Sequence, residues 1–281
     1  MQVLFKIAEQ EGFYLKHYTR LSGGDINDVF LLETENNKKV IKLNKANKLP
    51  RLFKEEASAL HALSATQSFS IPKVLHLGEL DKTSYLILSY IEESSSNQFF
   101  WESFAKQLAS LHENTAANFG WKSHNYIGSL PQNNKAHSTS SDFYIQQRLI
   151  PQFKLALLNG FSFKNLNRFY KEVELHIPKQ EKPALIHGDL WSGNFICGKN
   201  QSPVLIDPAI CYASREMDLA MMQLFGGFPN MVFNEYQQHF PLDTGWVERI
   251  EMYQLYYLLV HLNLFGARYL QQVQQIIKKY L

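Results

Sequence analysis

The sequence predicts an α+β protein with two lobes, a small β-rich lobe over residues 1–91 and a larger, mainly helical lobe over residues 92–281. Two observations lead to this prediction. Short β-prone runs separated by turn residues are concentrated before residue 92, whereas the later part has long stretches with apolar residues at every third or fourth position. A chain of 281 residues can form one large domain or two modest ones.

The small lobe is predicted to contain two pairs of strands and one helix. Residues 29–33 and 39–43 are β-prone runs, and the asparagine-rich turn between them is typical of a hairpin. After Pro50, apolar residues recur at helical spacing up to Leu63. Residues 74–77 and 85–91 form the second strand pair. The order strand, strand, helix, strand, strand is that of the small lobe of a protein kinase.

The large lobe is predicted to be helical except for residues 185–207. A polar break at residues 94–97 is a plausible start for the first of its helices. The amphipathic patterns predict helices over residues 97–113, 141–158, 164–176, 215–225, 231–239, 246–265 and 267–280. Residues 123–140 are predicted to be a long irregular loop, and loops of that length are often functional.

Composition excludes several classes of protein. Hydrophobic residues make up 45% of the chain and charged residues 19%, as in ordinary soluble globular proteins. The net charge of +2 does not favour nucleic acid or an anionic membrane as a partner. Cys197 and Cys211 are the two cysteines, so a disulfide framework is not supported. We therefore expect a cytoplasmic protein that contacts neither nucleic acid nor membrane.

Residues 187–207 carry the strongest functional pattern. His187 and Asp189 are followed by Asn194, five positions after the aspartate, and Asp207 then ends an apolar run. In kinases the aspartate that comes five positions before the asparagine orients the attacking hydroxyl. The asparagine and a second, later aspartate hold magnesium. The pattern predicts Asp189 as the catalytic residue, with Asn194 and Asp207 as metal ligands. The alternative is a structural turn with a surface cap.

A nucleotide-binding role is predicted for Lys42 and Glu56. Lys42 lies in an apolar strand, where a charged side chain needs a partner, and Glu56 lies on the following helix. Glu55 is the competing partner but would point to a different face. An isolated strand lysine is more often an edge residue that reaches solvent, but the acidic residues downstream favour a phosphate contact.

Two further segments are predicted to contact the nucleotide. Gly23 and Gly24 precede a strand, where glycines let the backbone approach a phosphate, although a plain hairpin turn explains them equally well. Residues 89–91, which are Ser89, Tyr90 and Ile91, fall where the hinge between the lobes is expected, and their backbone groups would bond adenine. ATP is the default nucleotide here, because the side chains do not distinguish it from GTP.

Several segments together resemble the fructosamine kinase (ketosamine kinase) family, which is related to aminoglycoside phosphotransferases and choline kinases. The resemblance extends over nearly the whole chain and includes Leu-Trp within residues 187–194 and Leu-Phe-Gly-Gly-Phe at residues 224–228. The other segments are residues 22–27, 125–132, 206–209, 215–221 and 261–266.

The resemblance implies a two-lobed, protein-kinase-like fold and an activity. Members of the family use ATP and Mg²⁺ to phosphorylate the 3-hydroxyl of a ketosamine, either free or attached to a lysine side chain, and the product breaks down to release the amine (deglycation). By position, the resemblance implies that Asp189 is the catalytic aspartate, Asn194 and Asp207 bind metal, and Lys42 and Glu56 anchor phosphate. Asn27 belongs to the segment that resembles the phosphate loop.

Trp191 and Glu216 are predicted to contact substrate. The resemblance places Trp191 in the substrate pocket, where its ring would cover the sugar or its amine-bearing tail, and the alternative is a wedge that packs the loop. Glu216 begins a helix, where a carboxylate caps the helix dipole or meets a cationic substrate nitrogen. Gln132 and Asn134 in the long loop are candidates for sugar hydroxyls, with ordinary loop polarity as their alternative.

His187 and Asp218 are predicted to give structural support. His187 would hydrogen-bond backbone near the metal ligands, and Asp218 would fix the catalytic loop unless it only caps its helix. Two rival functions remain: a kinase of another amino-containing alcohol, of the aminoglycoside or choline type, and a nucleotide-binding protein without activity. The sequence fixes neither the preferred sugar nor the oligomeric state.

Overall fold

The computed structural model describes residues 2–21 and 26–281. Its α-helices are α1 (Gln2–Gln10), α2 (Leu52–Ala65), α3 (Gln98–His112), α4 (Ser140–Phe143), α5 (Ile150–Leu158), α6 (Leu166–His176), α7 (Glu216–Phe225), α8 (Asn230–His239), α9 (Trp246–Phe265) and α10 (Leu270–Lys279). Its β-strands are β1 (His17–Arg20), β2 (Asp28–Glu33), β3 (Lys38–Lys45), β4 (Val74–Leu80), β5 (Thr83–Ser89), β6 (Asn125–Ile127), β7 (Leu130–Gln132), β8 (Ala184–Ile186), β9 (Phe195–Cys197), β10 (Pro203–Leu205) and β11 (Cys211–Ala213). A π-helical segment, Tyr144–Leu149, joins α4 to α5, and 3-10 turns lie at Lys199–Gln201 and Ala267–Tyr269.

The chain divides into two compact units that are not continuous in sequence. The first contains the described residues up to Phe100 together with Phe195–Asp207, and the second contains Trp101–Asn194 and Pro208–Leu281. The predicted lobes over residues 1–91 and 92–281 differ from these units, because the prediction leaves Phe195–Asp207 in the second lobe. The hairpin of β9 and β10 belongs to the first unit because its backbone and turn bond to Ser70 and Ser94 of that unit.

A five-stranded antiparallel sheet forms the centre of the first unit, with strand order β1-β2-β3-β5-β4. Leu4 and Ile7 of α1 pack against one face, in a core that includes Ile41 of β3. Successive residues of a strand point to opposite faces, so Lys42 is directed to the other face, where it meets α2. The sheet thus places one buried lysine next to one helix.

The second unit is mainly helical around the apolar helix α9. Most of α9 is buried, including Tyr253, Tyr256 and Leu259, because it is enclosed by α5, α7 and α10. The two short strands β8 and β11 pair antiparallel on either side of the catalytic-loop sequence, with Ile186 opposite Cys211. In the part of the chain that the structure describes, no helix has the length and apolar character needed to cross a membrane.

Candidate active site

Residues 187–194 form a tight loop that begins after β8 in the second unit. The side-chain nitrogen of Asn194 donates to the backbone oxygen of Asp189 at 2.7 Å and to Asp189 Oδ2 at 3.1 Å. The backbone nitrogen of Asn194 donates to the Trp191 oxygen at 2.9 Å. Since one amide group holds both the backbone and the carboxylate of Asp189, the predicted base is oriented by a predicted metal ligand. The amide oxygen of Asn194 lies on the other side of its planar group.

Asp218 of α7 holds the start of this loop, in the position predicted for a supporting residue. Its carboxylate accepts hydrogen bonds from the backbone nitrogens of His187 at 2.7 Å and Gly188 at 2.8 Å. The Nε2 atom of His112 lies 3.2 Å from Asp218 Oδ2, and since a carboxylate only accepts, the imidazole must donate there. His187 in turn accepts a bond from the Asp189 backbone nitrogen through Nδ1, at 3.3 Å.

The loop packs closely against the segment that follows Asp207. The backbone nitrogen of Ala209 donates to the His187 oxygen at 2.9 Å. A β-carbon added at Gly188, which has φ +83°, would lie 2.2 Å from the Ala209 oxygen. Only glycine allows such a close approach of two backbones. The pattern His-Gly-Asp therefore has a steric requirement for its central residue.

Gln132 and Asn134 are buried, and their side chains are hydrogen-bonded within the protein. The side chain of Gln132 is 3% exposed and donates to Asn125 Oδ1 at 2.9 Å and to the Ala209 oxygen at 3.1 Å, while Tyr256 donates to its Oε1 atom. Asn134 is 1% exposed and bonds Asn125 and Arg148. Buried amides must find partners, and these have found them within the protein. These bonds form a network that holds the 123–140 segment in place, and they do not support the predicted contacts with sugar hydroxyls.

Glu216 is likewise occupied within the protein. It is 3% exposed and forms a two-point ion pair with Arg249, with nitrogen–oxygen distances of 2.8 and 2.5 Å. A buried guanidinium and carboxylate in this geometry satisfy each other. The arrangement does not support the predicted contact with a cationic substrate nitrogen, and it fixes the start of α7 to α9 instead.

Lys42 forms a buried ion-pair cluster in the first unit. Its Nζ atom lies 2.5 Å from Glu56 Oε1 and also contacts Asp207 Oδ1. The Lys42 side chain is 6% exposed, whereas that of Asp207 is 46% exposed. Glu55, the competing partner, pairs with Arg51. The predicted Lys42–Glu56 pair is therefore present, and it includes the carboxylate predicted to bind metal.

Burial and the neighbouring charges shift the pKa values of Lys42 and Glu56. Burial alone would lower the pKa of Lys42, but the negative charges of Asp207 and Glu56 outweigh it and raise that pKa above its ordinary value. Burial and repulsion by Asp207 raise the pKa of Glu56, although Lys42 opposes the shift. Lys42 consequently remains a cation at neutral pH, as a phosphate anchor must.

The two predicted metal ligands lie in different units, and each carries an oxygen donor of the kind that Mg²⁺ prefers. Asp207 lies two residues after β10 with φ +55°, a left-handed conformation that aspartate adopts more readily than most residues. Its carboxylate is a hard oxygen ligand in the first unit, and the Asn194 amide oxygen is another in the second unit. Mg²⁺ is usually held by one or two carboxylates with phosphate and water completing the shell. Within residues 2–21 and 26–281, no group of three or more His, Cys, Asp or Glu side chains is placed to hold a metal.

The predicted adenine and phosphate contacts are only partly described. Gly23 and Gly24 lie outside the described residues. Asn27 Oδ1 accepts a bond of 2.7 Å from Asn44 of β3, so its side chain is held against the sheet. Ser89 is the last residue of β5. Its backbone nitrogen donates to the Lys73 oxygen, and its hydroxyl accepts a hydrogen bond from the Lys73 backbone nitrogen.

The two residues that follow Ser89 have different surroundings. The Tyr90 ring lies 5.7 Å from the ammonium of Lys38, and Ile91 approaches Gly198 of the β9–β10 hairpin. All of these contacts lie within the first unit. Because Ser89 is already bonded to Lys73, the predicted contact with adenine depends on the backbone groups of Tyr90 and Ile91.

Trp191 presents part of its ring to the surface of the second unit. It is 39% exposed, which is high for a tryptophan next to a buried loop. A β-carbon at Gly193 would lie 2.4 Å from the nearest ring atom, so the ring crosses directly over that residue. Both alternatives for Trp191 are compatible with this geometry, because one part packs the loop and another part remains accessible.

Three supporting residues were not predicted from the sequence. His112 supports Asp218, Arg249 pairs with Glu216, and Arg148 donates to Asn134 at 2.7 Å. Arg148 and Arg249 lie on the buried faces of helical segments, where a charged side chain needs an acceptor. That signal was available in the sequence, but it does not identify the partner.

This chain is similar to known proteins both in sequence and in fold. The sequence matches the fructosamine kinase family over residues 1–281. A protein of Enterococcus faecium named "probable ketoamine kinase" is 38% identical, and the alignment covers 92% of this chain and 93% of that protein. The crystal structure of a candidate fructosamine-3-kinase from Haemophilus somnus superposes with a TM-score of 0.88 at 28% identity, covering 98% of this chain and 95% of that chain.

A more distant structure shows the same fold. An aminoglycoside phosphotransferase in ternary complex with ADP and hygromycin B superposes with a TM-score of 0.66 at 14% identity, covering 99% of this chain and 98% of that chain. The predicted kinase-like fold, with an antiparallel sheet followed by a helical part, is confirmed. The family match over the full sequence, together with relatives above 30% identity, shows that this chain belongs to the fructosamine kinase family of phosphotransferases.

Proposed function

We propose that this protein transfers the γ-phosphoryl group of ATP to the 3-hydroxyl of a ketosamine, with Mg²⁺ as cofactor, and that the reaction serves deglycation. The observation that carries the proposal is the match to the fructosamine kinase family over residues 1–281. The Lys42–Glu56–Asp207 cluster and the Asp189–Asn194 pair supply the side chains that such a transfer requires. The ketosamine is free or attached to a lysine side chain.

Asp189 is the residue that receives the hydroxyl proton in this mechanism. The sugar oxygen forms a bond to the γ-phosphorus while the bond from that phosphorus to the β–γ bridging oxygen breaks, and ADP leaves. Asn194 keeps the Asp189 carboxylate in one orientation, and Asp218 and His187 keep the backbone of the loop in place. Orientation of this kind lowers the entropic part of the barrier.

Lys42 and the metal ligands act on the phosphates. The Lys42 ammonium, kept charged by its two carboxylate neighbours, would bond phosphate oxygens of ATP. Mg²⁺, when bound through Asp207 and Asn194, would neutralise charge on the transferring group. Backbone groups of Tyr90 and Ile91 would meet the adenine, and Trp191 would contact the sugar or its amine-bearing tail.

A substrate panel tests the proposal. Purified protein is incubated with ATP and Mg²⁺ and with fructosyl-lysine, ribulosyl-lysine, choline or kanamycin, and ADP release is measured. We expect turnover with at least one ketosamine, with the phosphate on the 3-oxygen by ³¹P and ¹³C NMR. Turnover with choline or kanamycin alone would assign the enzyme to another amino-alcohol, and ATP binding without any transfer would favour an inactive nucleotide-binding protein.

The matched control is Asp189→Asn, which keeps the shape of the side chain. A positioned proton acceptor contributes about 10²–10⁴-fold to such reactions, so turnover should fall by that factor. ATP affinity, measured by thermal shift with Mg²⁺, should be retained because Asp189 is not assigned to the nucleotide. Near-normal turnover of this variant would show that Asp189 is not the base.

A further inference from the structure

Helix α7 contacts residues 187–194 near both of its own ends. At its first turn, Asp218 bonds the backbone of His187 and Gly188. Just beyond its last residue, Phe225, the chain continues as Gly226-Gly227-Phe228 and reaches Ser192. A helix of ten residues is about 15 Å long, so one rigid element holds the two ends of the catalytic loop.

The contact at the second end is between Gly227 and Ser192. A β-carbon added at Gly227 would lie 2.4 Å from Ser192 Cβ and 2.9 Å from Ser192 Oγ. Real β-carbons are never so close to another carbon, so any side chain at Gly227 would push Ser192 away. Phe228 anchors the chain next to Gly227, because its ring packs against both Trp101 and Phe104, at centroid distances of 6.1 and 5.6 Å.

Ser192 lies inside the turn that carries Trp191. The turn is closed by the bond from the Asn194 backbone nitrogen to the Trp191 oxygen, and the Trp191 ring lies across Gly193. The Asp189 end of the loop is held by Asp218 and His187 as well as by the Asn194 side chain. Trp191 directly precedes Ser192 in the chain, whereas Asp189 has these further anchors, so displacing Ser192 should move the accessible Trp191 ring more than it moves Asp189.

We propose that Gly227 is a positioning residue that sets the location of the Trp191–Ser192 turn and thereby the affinity for the phosphate acceptor, without acting on ATP. The substrate identity rests on the proposed function. Gly227 contacts neither reactant in this proposal; it acts through Ser192. The Leu-Phe-Gly-Gly-Phe sequence is then required for a steric reason, because both a positive φ and an absent β-carbon are needed at its fourth residue.

The test uses four variants of the full chain. Gly227→Ala introduces the clash. Gly226→Ala is the matched control, because Gly226 also has a positive φ, +74°, but a β-carbon there would meet nothing within 4 Å. Ser192→Gly opens a gap on the other side of the contact, and Gly227→Ala with Ser192→Gly restores one β-carbon between the two backbones. KM for the ketosamine, KM for ATP, kcat and the unfolding temperature are measured for each.

We expect Gly227→Ala to raise KM for the ketosamine about tenfold while KM for ATP changes less than about twofold. Ser192→Gly should raise the same KM by a smaller factor, and the double variant should recover most of the loss. Gly226→Ala should lower the unfolding temperature through backbone strain without this KM change. Equal KM effects in both alanine variants, or no recovery in the double variant, would overturn the proposal.

Two further readouts keep the outcome decisive. If Gly227→Ala alone does not fold, Ser192→Gly and the double variant still compare a gap with a restored contact, and equal KM values for them would overturn the proposal. If the wild-type protein phosphorylates no ketosamine, the proposed function fails independently, and Trp191 emission tests the contact. That emission, taken as the difference between each protein and its Trp191→Phe counterpart, should shift in Gly227→Ala but not in Gly226→Ala; an unchanged emission overturns the proposal.

Discussion

At Lys42, one buried cation is shared by two carboxylates of unequal exposure. Glu56 is almost as buried as Lys42, whereas Asp207 is about half exposed, so water solvates Asp207 but not Glu56. A buried ion pair often contributes little net stability, although removing one partner costs several kcal/mol because it leaves an uncompensated charge. The pair is therefore consistent with the phosphate contact proposed for Lys42.

The burial of Glu56 beside Lys42 gives a prediction about two variants. Lys42→Met keeps the chain length but leaves Glu56 buried and unpaired, and should destabilise the protein by about 3–5 kcal/mol or force Glu56 to bind a proton. The double variant Lys42→Met with Glu56→Leu replaces the pair by apolar groups and should recover most of that stability. Neither should phosphorylate substrate at saturating ATP at more than a small fraction of the wild-type rate.

Urea unfolding and a kinase assay with an ATP titration check both statements. Recovery of stability without recovery of turnover would separate the functional from the structural role of Lys42. A double variant that is as unstable as Lys42→Met would show that the site cannot accept an apolar pair. A Lys42→Met protein with normal KM for ATP would contradict the phosphate assignment.

Some site residues could be predicted because covalent spacing constrains them. Asp189 and Asn194 are five positions apart in one loop, and Lys42 and Glu56 occupy a strand and the next helix, so each pair meets wherever those elements form. Gln132, Asn134 and Glu216 were assigned to substrate on polarity alone. Polarity shows that a side chain needs a partner but does not show whether the partner is a ligand or another part of the protein.

Among the elements, α7 connects the core of the second unit to the catalytic loop. Asp218 is fully buried and accepts two backbone bonds from the loop, and His112 donates to the same carboxylate. Burial lowers the pKa of His112, although its bond to Asp218 opposes the shift. A neutral imidazole is consistent with Nδ1 accepting the bond from Tyr236, at 2.8 Å.

Asp218→Asn should therefore impair turnover without impairing ATP binding. The amide has one acceptor oxygen, so its nitrogen must face at least one backbone N–H donor of the loop. Losing a charge-assisted bond of this kind costs about 1.5–3 kcal/mol, which corresponds to about a 10–100-fold loss of kcat if it falls on the transition state. Steady-state kinetics and ATP-dependent thermal shifts measure the two effects.

Glu216→Gln in the same helix turn is the control for this prediction. It weakens a buried ion pair with Arg249, so it should lower stability but leave KM for the ketosamine within about twofold. A large KM increase in Glu216→Gln would restore the substrate contact that the geometry argues against. Normal turnover in Asp218→Asn would show that the loop holds its shape without this carboxylate.

Long periodic elements were predicted better than short ones. The helix α2 and the strands β2 to β5 follow clear patterns of apolar residues, and the structure confirms them. The helix α1 and the strand β1 were not predicted, and the short hairpin of β6 and β7 lies within a segment predicted as loop. Three-residue strands form through tertiary pairing, which local periodicity does not record.

At the scale of the molecule, the chain leaves the second unit at Phe195 and returns to it at Pro208. A boundary drawn along the sequence cannot represent this, because the hairpin is covalently placed after Asn194 but bonds to Ser94 and Ser70. As a result Asp207, the last residue of this excursion, contacts Lys42 within the first unit. By contrast, the resemblance to the fructosamine kinase family predicted the kinase-like fold correctly from the same sequence.

The stability of the whole chain should depend on pH through two opposing groups of the second unit. Burial raises the pKa of Glu181 to about 7 from an ordinary value of 4.5, although a bond from Ser214 opposes the shift. Folded protein then holds a proton that unfolded protein has lost, so this group lowers stability as pH rises from about 4.5 to 7. Burial lowers the pKa of His112, so that group lowers stability as pH falls below about 6.5.

Glu181→Gln isolates the first contribution. The amide keeps the shape of the carboxyl but cannot titrate, so the difference in unfolding free energy between wild type and variant should decrease as pH rises from 4.5 to 7.5. The change is at most about 3 kcal/mol, since one pKa unit corresponds to about 1.4 kcal/mol. Without this carboxyl, the variant should lose stability more steeply than wild type on acidification, because the gain from Glu181 no longer offsets the loss from His112.

Urea unfolding at closely spaced pH values, followed by tryptophan fluorescence, measures both curves. Ser214→Ala supplies a second, independent shift: it removes the hydrogen bond that lowers the pKa of Glu181 in the folded protein. Stability should then keep falling to a higher pH, while the lower limit near 4.5, which the unfolded chain sets, stays in place. If the difference in unfolding free energy between wild type and Glu181→Gln stays constant from pH 4.5 to 7.5, Glu181 is ionised in the folded protein over that whole pH range. The carboxyl would then have to be solvated or paired in a way that the Ser214 contact does not provide.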